Sequence, residues 1–267
     1  MRLIDTHVHL NDPAYAQDLD EVLGRARDAG VERMVVVGYD LPSSARAAAL
    51  AERYPQIRAA VGISPHEAET WCDEAGDELA RLARRAGVVA LGEIGLDHHY
   101  VRDPAGRARQ TAAFAGQLDL ACALGLPVVV HDREAHAEVL ALLRARGASL
   151  AGGVMHCFTG SEETARAAWD LGLRVSFAGP LTFQNAARTR AVAAKLPPEC
   201  LLVETDAPYL TPHPYRGRRN EPCHVALVAA ALAEARGAPL AELAEGLWRN
   251  AELCFGFGAE HPPAGGK

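Results

Sequence analysis

Eight short apolar runs, each followed by a longer segment of helical character, constrain this chain more than any other feature. The runs are RLIDTHVHL (2–10), RMVVVG (33–38), IRAAVGIS (57–64), VVALGEIGLD (88–97), PVVVHDR (127–133), GGVMHCF (152–158), RVSFAG (174–179) and CLLVETDAP (200–208). Between them the pattern predicts helices over 17–29, 43–53, 74–86, 105–124, 134–146, 161–171, 185–195 and 221–235. Gly30, Gly87, Gly125, Gly147 and Gly172 stand where left-handed C-caps belong. Short apolar strands joined by helices form parallel sheets with crossovers. Eight such units in 267 residues suit an α/β chain closed into a (β/α)8 TIM barrel, although spacing alone leaves an open, doubly wound sheet as the alternative.

No linker, internal repeat or low-complexity break interrupts the series. Residues 1–258 are therefore expected to form one barrel domain, and 259–267 a flexible tail. The six cysteines (Cys72, Cys122, Cys157, Cys200, Cys223, Cys254) make no CxxC pair, which favours reduced thiols over a disulfide framework. No apolar run reaches the roughly 18 residues of a membrane span, and no signal-like segment precedes the first strand. The expectation is a cytoplasmic protein with no membrane partner and no obligate protein partner. A formal charge of −7 argues against a general nucleic-acid coat, because phosphate binding draws a basic excess. Arg216, Arg218 and Arg219 in PYRGRRNEP are a local exception.

Buried parallel strands are apolar at nearly every position, so the polar residues in these runs are the informative ones. They gather at the C-terminal ends. His7 and His9 close the first run and His66 follows the third. Glu93 lies in the fourth, His131 and Arg133 end the fifth, His156 is in the sixth, and Glu204 and Asp206 are in the eighth. In a barrel all these ends open on one face. His7 and His9, at i and i+2, leave their strand on the same side. A lone strand histidine is more often a hydrogen-bonded core residue than a ligand, but this common placement argues for a binuclear site for divalent ions. Glu93, flanked by apolar residues, needs a nearby cation to stay ionised.

Paired metal ions need a bridging anion, and Lys195 and Lys267, the only lysines, lie off the strands and leave little room for a carboxylated lysine. Glu93 is then the bridge. The expected arrangement is His7, His9, Glu93 and Asp206 on one ion, and Glu93, His131 and His156 on the other. Glu93 and Asp206 are the catalytic candidates, with Asp206 placed to accept or relay the proton of a metal-activated water. His66 could hold a substrate oxyanion or serve as a cap. Arg133 could fork a phosphate or pair with Asp132 or Glu134. Glu204 reads as a carboxylate orienting a histidine, and Asp97 carries a similar ambiguity. Arg216, Arg218, Arg219 and Asn220 read either as a solvated loop or as a phosphate contact.

Taken together, IDTHVHL, GEIGLD, GLPVVVHDREA, HCFTGS, ETDAPYLTP and RGRRNEP, in this order, resemble the TatD-like metal-dependent deoxyribonucleases of the amidohydrolase superfamily. The resemblance runs nearly end to end. It implies hydrolysis of phosphodiester bonds in DNA, often as a 3′-to-5′ exonuclease on single strands. It implies His7, His9, Glu93, His131, His156 and Asp206 as ligands, and puts His66, Arg133, Arg219 and Asn220 on or near positions that meet substrate phosphate. The expected cofactors are two divalent ions, Mg²⁺ or Mn²⁺ for turnover, with Zn²⁺ as an occupant that a His-rich site would favour. Ser64, Asp132 and His98 depart from the family pattern and put substrate preference in question. A small-molecule amidohydrolase, esterase or phosphoesterase on the same metal frame is the alternative, to which the acidic charge gives weight. A non-enzymatic binding protein is a third reading, disfavoured by the complete ligand set.

Overall fold

The computed structural model describes residues 1–257; residue 258 and the tail expected at 259–267 lie outside the described residues. The strands are β1 (Leu3–Val8), β2 (Val31–Val37), β3 (Ile57–Val61), β4 (Val88–Asp97), β5 (Val128–Arg133), β6 (Gly153–Met155), β7 (Leu173–Phe177) and β8 (Leu201–Val203). Each pairs in parallel with the next, in the order β1 to β8. The helices are α1 (Leu19–Asp28), α2 (Leu41–Arg53), α3 (Asp73–Leu82), α4 (Pro104–Leu124), α5 (His136–Arg146), α6 (Glu162–Trp169), α7 (Ala187–Lys195), α8 (Val225–Arg236) and α9 (Leu240–Phe255). The chain is a nearly closed (β/α)8 barrel, and the open sheet is ruled out by its seam.

That seam has no regular ladder between β8 and β1. Instead, the Asp206 N–H donates to His7 O (2.9 Å) and the His9 N–H to Ala207 O (2.8 Å). The Thr205 N–H donates to Asp5 Oδ1 (2.9 Å), and the Thr205 hydroxyl lies 2.6 Å from Asp5 Oδ2. The ring therefore closes at the level of the polar strand ends. Asp5 is fully buried there, and burial pushes its carboxyl up to about 8 against the opposing hydrogen bonds from Thr205.

Side chains alternate between the interior and the helical shell. Ile4, Val35, Val37, Val89, Val129, Val154 and Leu202 fill the interior with Trp248, Phe255 and Phe257 from the last helix and just beyond it. Their neighbours, such as Leu3, Val36, Val88 and Val128, pack outward against the helices. The sequence pattern gave no element after 235, yet α9 is sixteen residues long and closes the interior from below. Counting strand–helix units does not call for it, because it follows the eighth unit.

The sixth and eighth strands are shorter than the apolar runs suggest. Past Met155 and Val203 the chain turns off the ladder, with left-handed backbone at Cys157 (φ 45°) and Asp206 (φ 56°). The residues that leave the ladder are the ones that carry polar chemistry. In β4, Gly95 has a φ of 145°, and a Cβ there would sit 2.0 Å from His131 O. Glycine thus lets the strand bearing Glu93 press against the one bearing His131.

Candidate metal centre

Six donor side chains from five strands meet at the C-terminal mouth of the barrel. His7 stands in β1 and His9 just beyond it, Glu93 in β4, His131 in β5, and His156 and Asp206 in the turns after β6 and β8. All are buried or nearly so. Glu93 is central. Its Oε1 lies 2.7 Å from His131 Nδ1 and 3.0 Å from His156 Nε2, and its Oε2 lies 3.8 Å from His7 Nε2 and 4.0 Å from His9 Nε2. Asp206 Oδ1 sits 3.3 Å from His9 Nε2 and 3.6 Å from His7 Nε2. The two oxygens of one carboxylate thus face two separate pairs of imidazoles.

The outward nitrogens decide what the inward ones can be. His9 Nδ1 donates to Val37 O at 2.9 Å, because a carbonyl can only accept. His131 Nε2 donates to Asp97 Oδ2 at 3.2 Å, and His156 Nδ1 to Glu204 Oε1 at 3.3 Å. In the neutral rings, His9 Nε2, His131 Nδ1 and His156 Nε2 therefore point lone pairs at one another and at carboxylate oxygens. Such a buried donor set repels itself unless a cation or protons stand between, so it fits hard and borderline divalent ions.

Without an ion, the surrounding carboxylates favour the protonated form of three of these imidazoles. Burial would push the His156 imidazole down, but Glu93 and Glu204 carry it well above its ordinary value. His131 is raised against burial by Asp97 and Glu93, and His9 by Asp206 and Glu93. Burial would push the Glu93 carboxyl up, yet His156 and His131 hold it well below the usual range. His7 is the exception. Burial and its histidine neighbours lower it; its ring stacks on His156 at 4.0 Å, and its Nδ1 has no hydrogen-bond partner among the described residues.

The centre opens into a cavity of about 600 Å³ whose lining includes Tyr39, His66, Tyr100, Arg133, Cys157 and Tyr209. A groove of about 670 Å³ elsewhere, between α7 and α8, carries only His213 and Glu234 as ligand-type side chains. The chemistry is therefore in the barrel mouth.

A family model described as TatD related DNase matches residues 4–256. The chain belongs to that family. It is 43% identical over 253 residues to the uncharacterized metal-dependent hydrolase YabD of Bacillus subtilis, covering 95% of this chain and 98% of the relative. It is 40% identical over 233 residues to the 3′-5′ ssDNA/RNA exonuclease TatD of Edwardsiella piscicida, covering 85% and 89%. The crystal structure of YjjV, a TatD homologue from Escherichia coli K12, superposes with a TM-score of 0.90 at 37% identity, over 96% of this chain and 98% of that one. The protein is thus a metal-dependent hydrolase of the TatD family.

Within this TatD-family barrel the remaining polar residues separate clearly. His66 and Arg133 line the cavity, with His66 Nε2 3.5 Å from Asp97 Oδ2 and the Arg133 guanidinium 4.8 Å from the Tyr100 ring centre. Arg219 and Asn220 do not reach it. Arg219 is bound to Asp18, Glu221 and the Ala14 carbonyl, and lies 4.8 Å over the Tyr15 ring. Asn220 is fully buried, donating to Thr205 O and Tyr209 O and accepting from the Glu221 N–H. Arg219 is thus neutralised by Asp18, distant in sequence, and by the nearby Glu221, and Arg219 and Asn220 both anchor the loop after β8. Arg216 lies 4.0 Å over the Phe183 ring.

Asp97 resolves as an orienting carboxylate. It takes the His131 hydrogen bond and the backbone N–H groups of His99 and Tyr100, and is held down to about 2 against the upward push of burial. Ser176 donates to the second oxygen of Glu204, whose first oxygen accepts from the Cys157 N–H at 2.7 Å. Asp5 and Ser176 were not singled out from sequence, although Asp5 shares strand parity with His7 and His9. Of the departures from the family pattern, Ser64 and Asp132 line the cavity, and Asp132 also bonds His136 at 2.7 Å. His98 Nε2 lies 3.6 Å from Glu138, outside the lining.

Proposed function

We propose that this chain hydrolyses phosphodiester bonds in DNA, as a 3′-to-5′ exonuclease preferring single strands. The observation that carries the reading is the division of Glu93: one carboxylate serves two imidazole pairs, which suits a pair of divalent ions, Mg²⁺ or Mn²⁺ in turnover. His7, His9, Glu93 and Asp206 would hold one and Glu93, His131 and His156 the other. Bound there, such ions supply Lewis acidity toward a phosphoryl oxygen and lower the pKa of water. The chain's own groups do the rest. Asp206 accepts the proton of the attacking water, its carboxylate kept at the cavity floor by the seam hydrogen bonds of its backbone. Arg133 and His66, on the wall beside His131, hold the non-bridging oxygens and fix the approach. The exonuclease relative from Edwardsiella piscicida supports the substrate class.

The test is metal-stripped protein incubated with end-labelled single-stranded DNA, with and without Mg²⁺ or Mn²⁺, beside an Asp206→Asn control. Metal-dependent shortening from the 3′ end, absent in the control, is expected. Metal uptake without shortening would move the substrate to a small ester, amide or phosphoester.

A further inference from the structure

Large aromatic rings exposed to water are ordinary when scattered singly. Here two of the most exposed, Tyr100 (65%) and Tyr209 (53%), open into the same cavity as the metal centre. They stand on different sides of it. Tyr100 lies 5.8 Å from the His66 ring, with the Arg133 guanidinium against it, on the His131 side. Tyr209 lies 6.0 Å from the His9 ring, beside Tyr39, which approaches His9 at 5.7 Å.

One ring hangs from a ligand of the centre and the other from a carboxylate that orients one. The Tyr100 N–H donates to Asp97 Oδ1 at 2.9 Å, the carboxylate whose other oxygen steers His131. The Tyr209 N–H donates to Asp206 O at 2.9 Å, and its carbonyl accepts from the buried Asn220 amide at 2.6 Å. The loops are therefore tied at their roots while the rings remain open to solvent. An exposed ring on a fixed backbone, beside a cation site and an arginine, is the arrangement that stacks nucleobases of a single strand.

We infer that Tyr100 and Tyr209 are stacking platforms for the nucleobases on either side of the scissile phosphate, each base lying on the tyrosine of its own half of the centre. The inference rests on the nuclease reading and refines it. Paired bases of a duplex are not free to splay onto two rings, so the platforms select single-stranded ends. They also give Asn220 a positioning task, through the Tyr209 carbonyl, in place of phosphate contact.

The experiment is stopped-flow fluorescence with the Mg²⁺-supplemented protein and oligodeoxynucleotides carrying 2-aminopurine at the 3′-terminal or the penultimate position, with end-labelled shortening followed in parallel. Stacking quenches 2-aminopurine on binding, before any cleavage. Wild type should quench both probes. Tyr100→Leu should relieve one position and Tyr209→Leu the other, each weakening binding roughly tenfold, seen in KM more than in kcat. Tyr→Trp at either site should restore the quench, which mere filling of space by leucine cannot. No quench in wild type, or an undiminished quench in both leucine variants, would overturn the inference. Quenching without shortening would leave the platforms standing and defeat the nuclease reading instead.

Discussion

His9 and His131 face Glu93 from opposite sides, yet one ring is steered by a backbone carbonyl and the other by a buried carboxylate. Val37 O fixes His9; Asp97 fixes His131, and Glu204 does the same for His156. A carbonyl sets a tautomer without adding charge. A carboxylate also makes the ring a more basic ligand. The half built on β1 and β8 is thus held by the barrel's main chain and its seam, whereas the half built on β4, β5 and β6 depends on a shell of acidic side chains. The first should resist point substitution around its ligands, and the second should be tunable.

The most damaging way to test the division is to remove what the halves share. Glu93→Gln should strip metal from both, with kcat/KM falling by about a thousandfold or more, read by metal analysis of the purified protein and by assay. His156→Ala should lose mainly the metal of its own half, and equal metal content in wild type and Glu93→Gln would end the bridging assignment. Next come the steering groups. Asp97→Asn and Glu204→Gln should each weaken metal binding about 10–100-fold in their own half, measured by competition with a chelating dye. Val37→Ala, which keeps the carbonyl, should leave His9 and its metal unaffected.

Acid should separate metal from protein. The carboxylates around His131, His156 and His9 raise their affinity for protons, so protons compete with metal ions for these nitrogens more strongly than at an ordinary imidazole. Affinity should fall from pH 8 to pH 6, and calorimetry in buffers of different ionisation enthalpy should report proton release. The smallest effect concerns the seam. Folded Asp5 keeps its proton up to about pH 8, while the unfolded chain releases it near pH 4, so between these values the folded state binds more protons and stability falls as pH rises. In chelator, Asp5→Asn should show a shallower loss of urea midpoint from pH 5 to pH 8 than wild type. An identical slope would mean that Asp5 is ionised in the fold.

Much of this was legible because polar residues in apolar strands are conspicuous. The six donors and Glu204 stood out at run ends, and the eightfold alternation implied a shared face. Asp97 remained ambiguous because strand parity does not say which histidine a carboxylate will meet across the sheet. Asp5 was passed over although its parity matched, since the expected closure of the barrel does not say which residue of the last strand meets it, and its partner proves to be Thr205. Arg219 misled for the opposite reason: its charge is local in sequence, but Asp18, which neutralises it, lies two hundred residues away. The helix α9 was missed because its apolar face answers to the barrel's lower opening rather than to a strand of its own.

The seam between β1 and β8 also orders events during synthesis. His7 and His9 leave the ribosome before Asp206, which follows 197 residues after His9, a delay of roughly 10–40 s at ordinary elongation rates. Throughout that interval the histidine pair has neither its opposing carboxylate nor the backbone partners that lock its strand into the ring. A chain cut short before the eighth strand is therefore a polypeptide with scattered chelating groups and no working centre, so the hydrolase cannot act from an unfinished molecule.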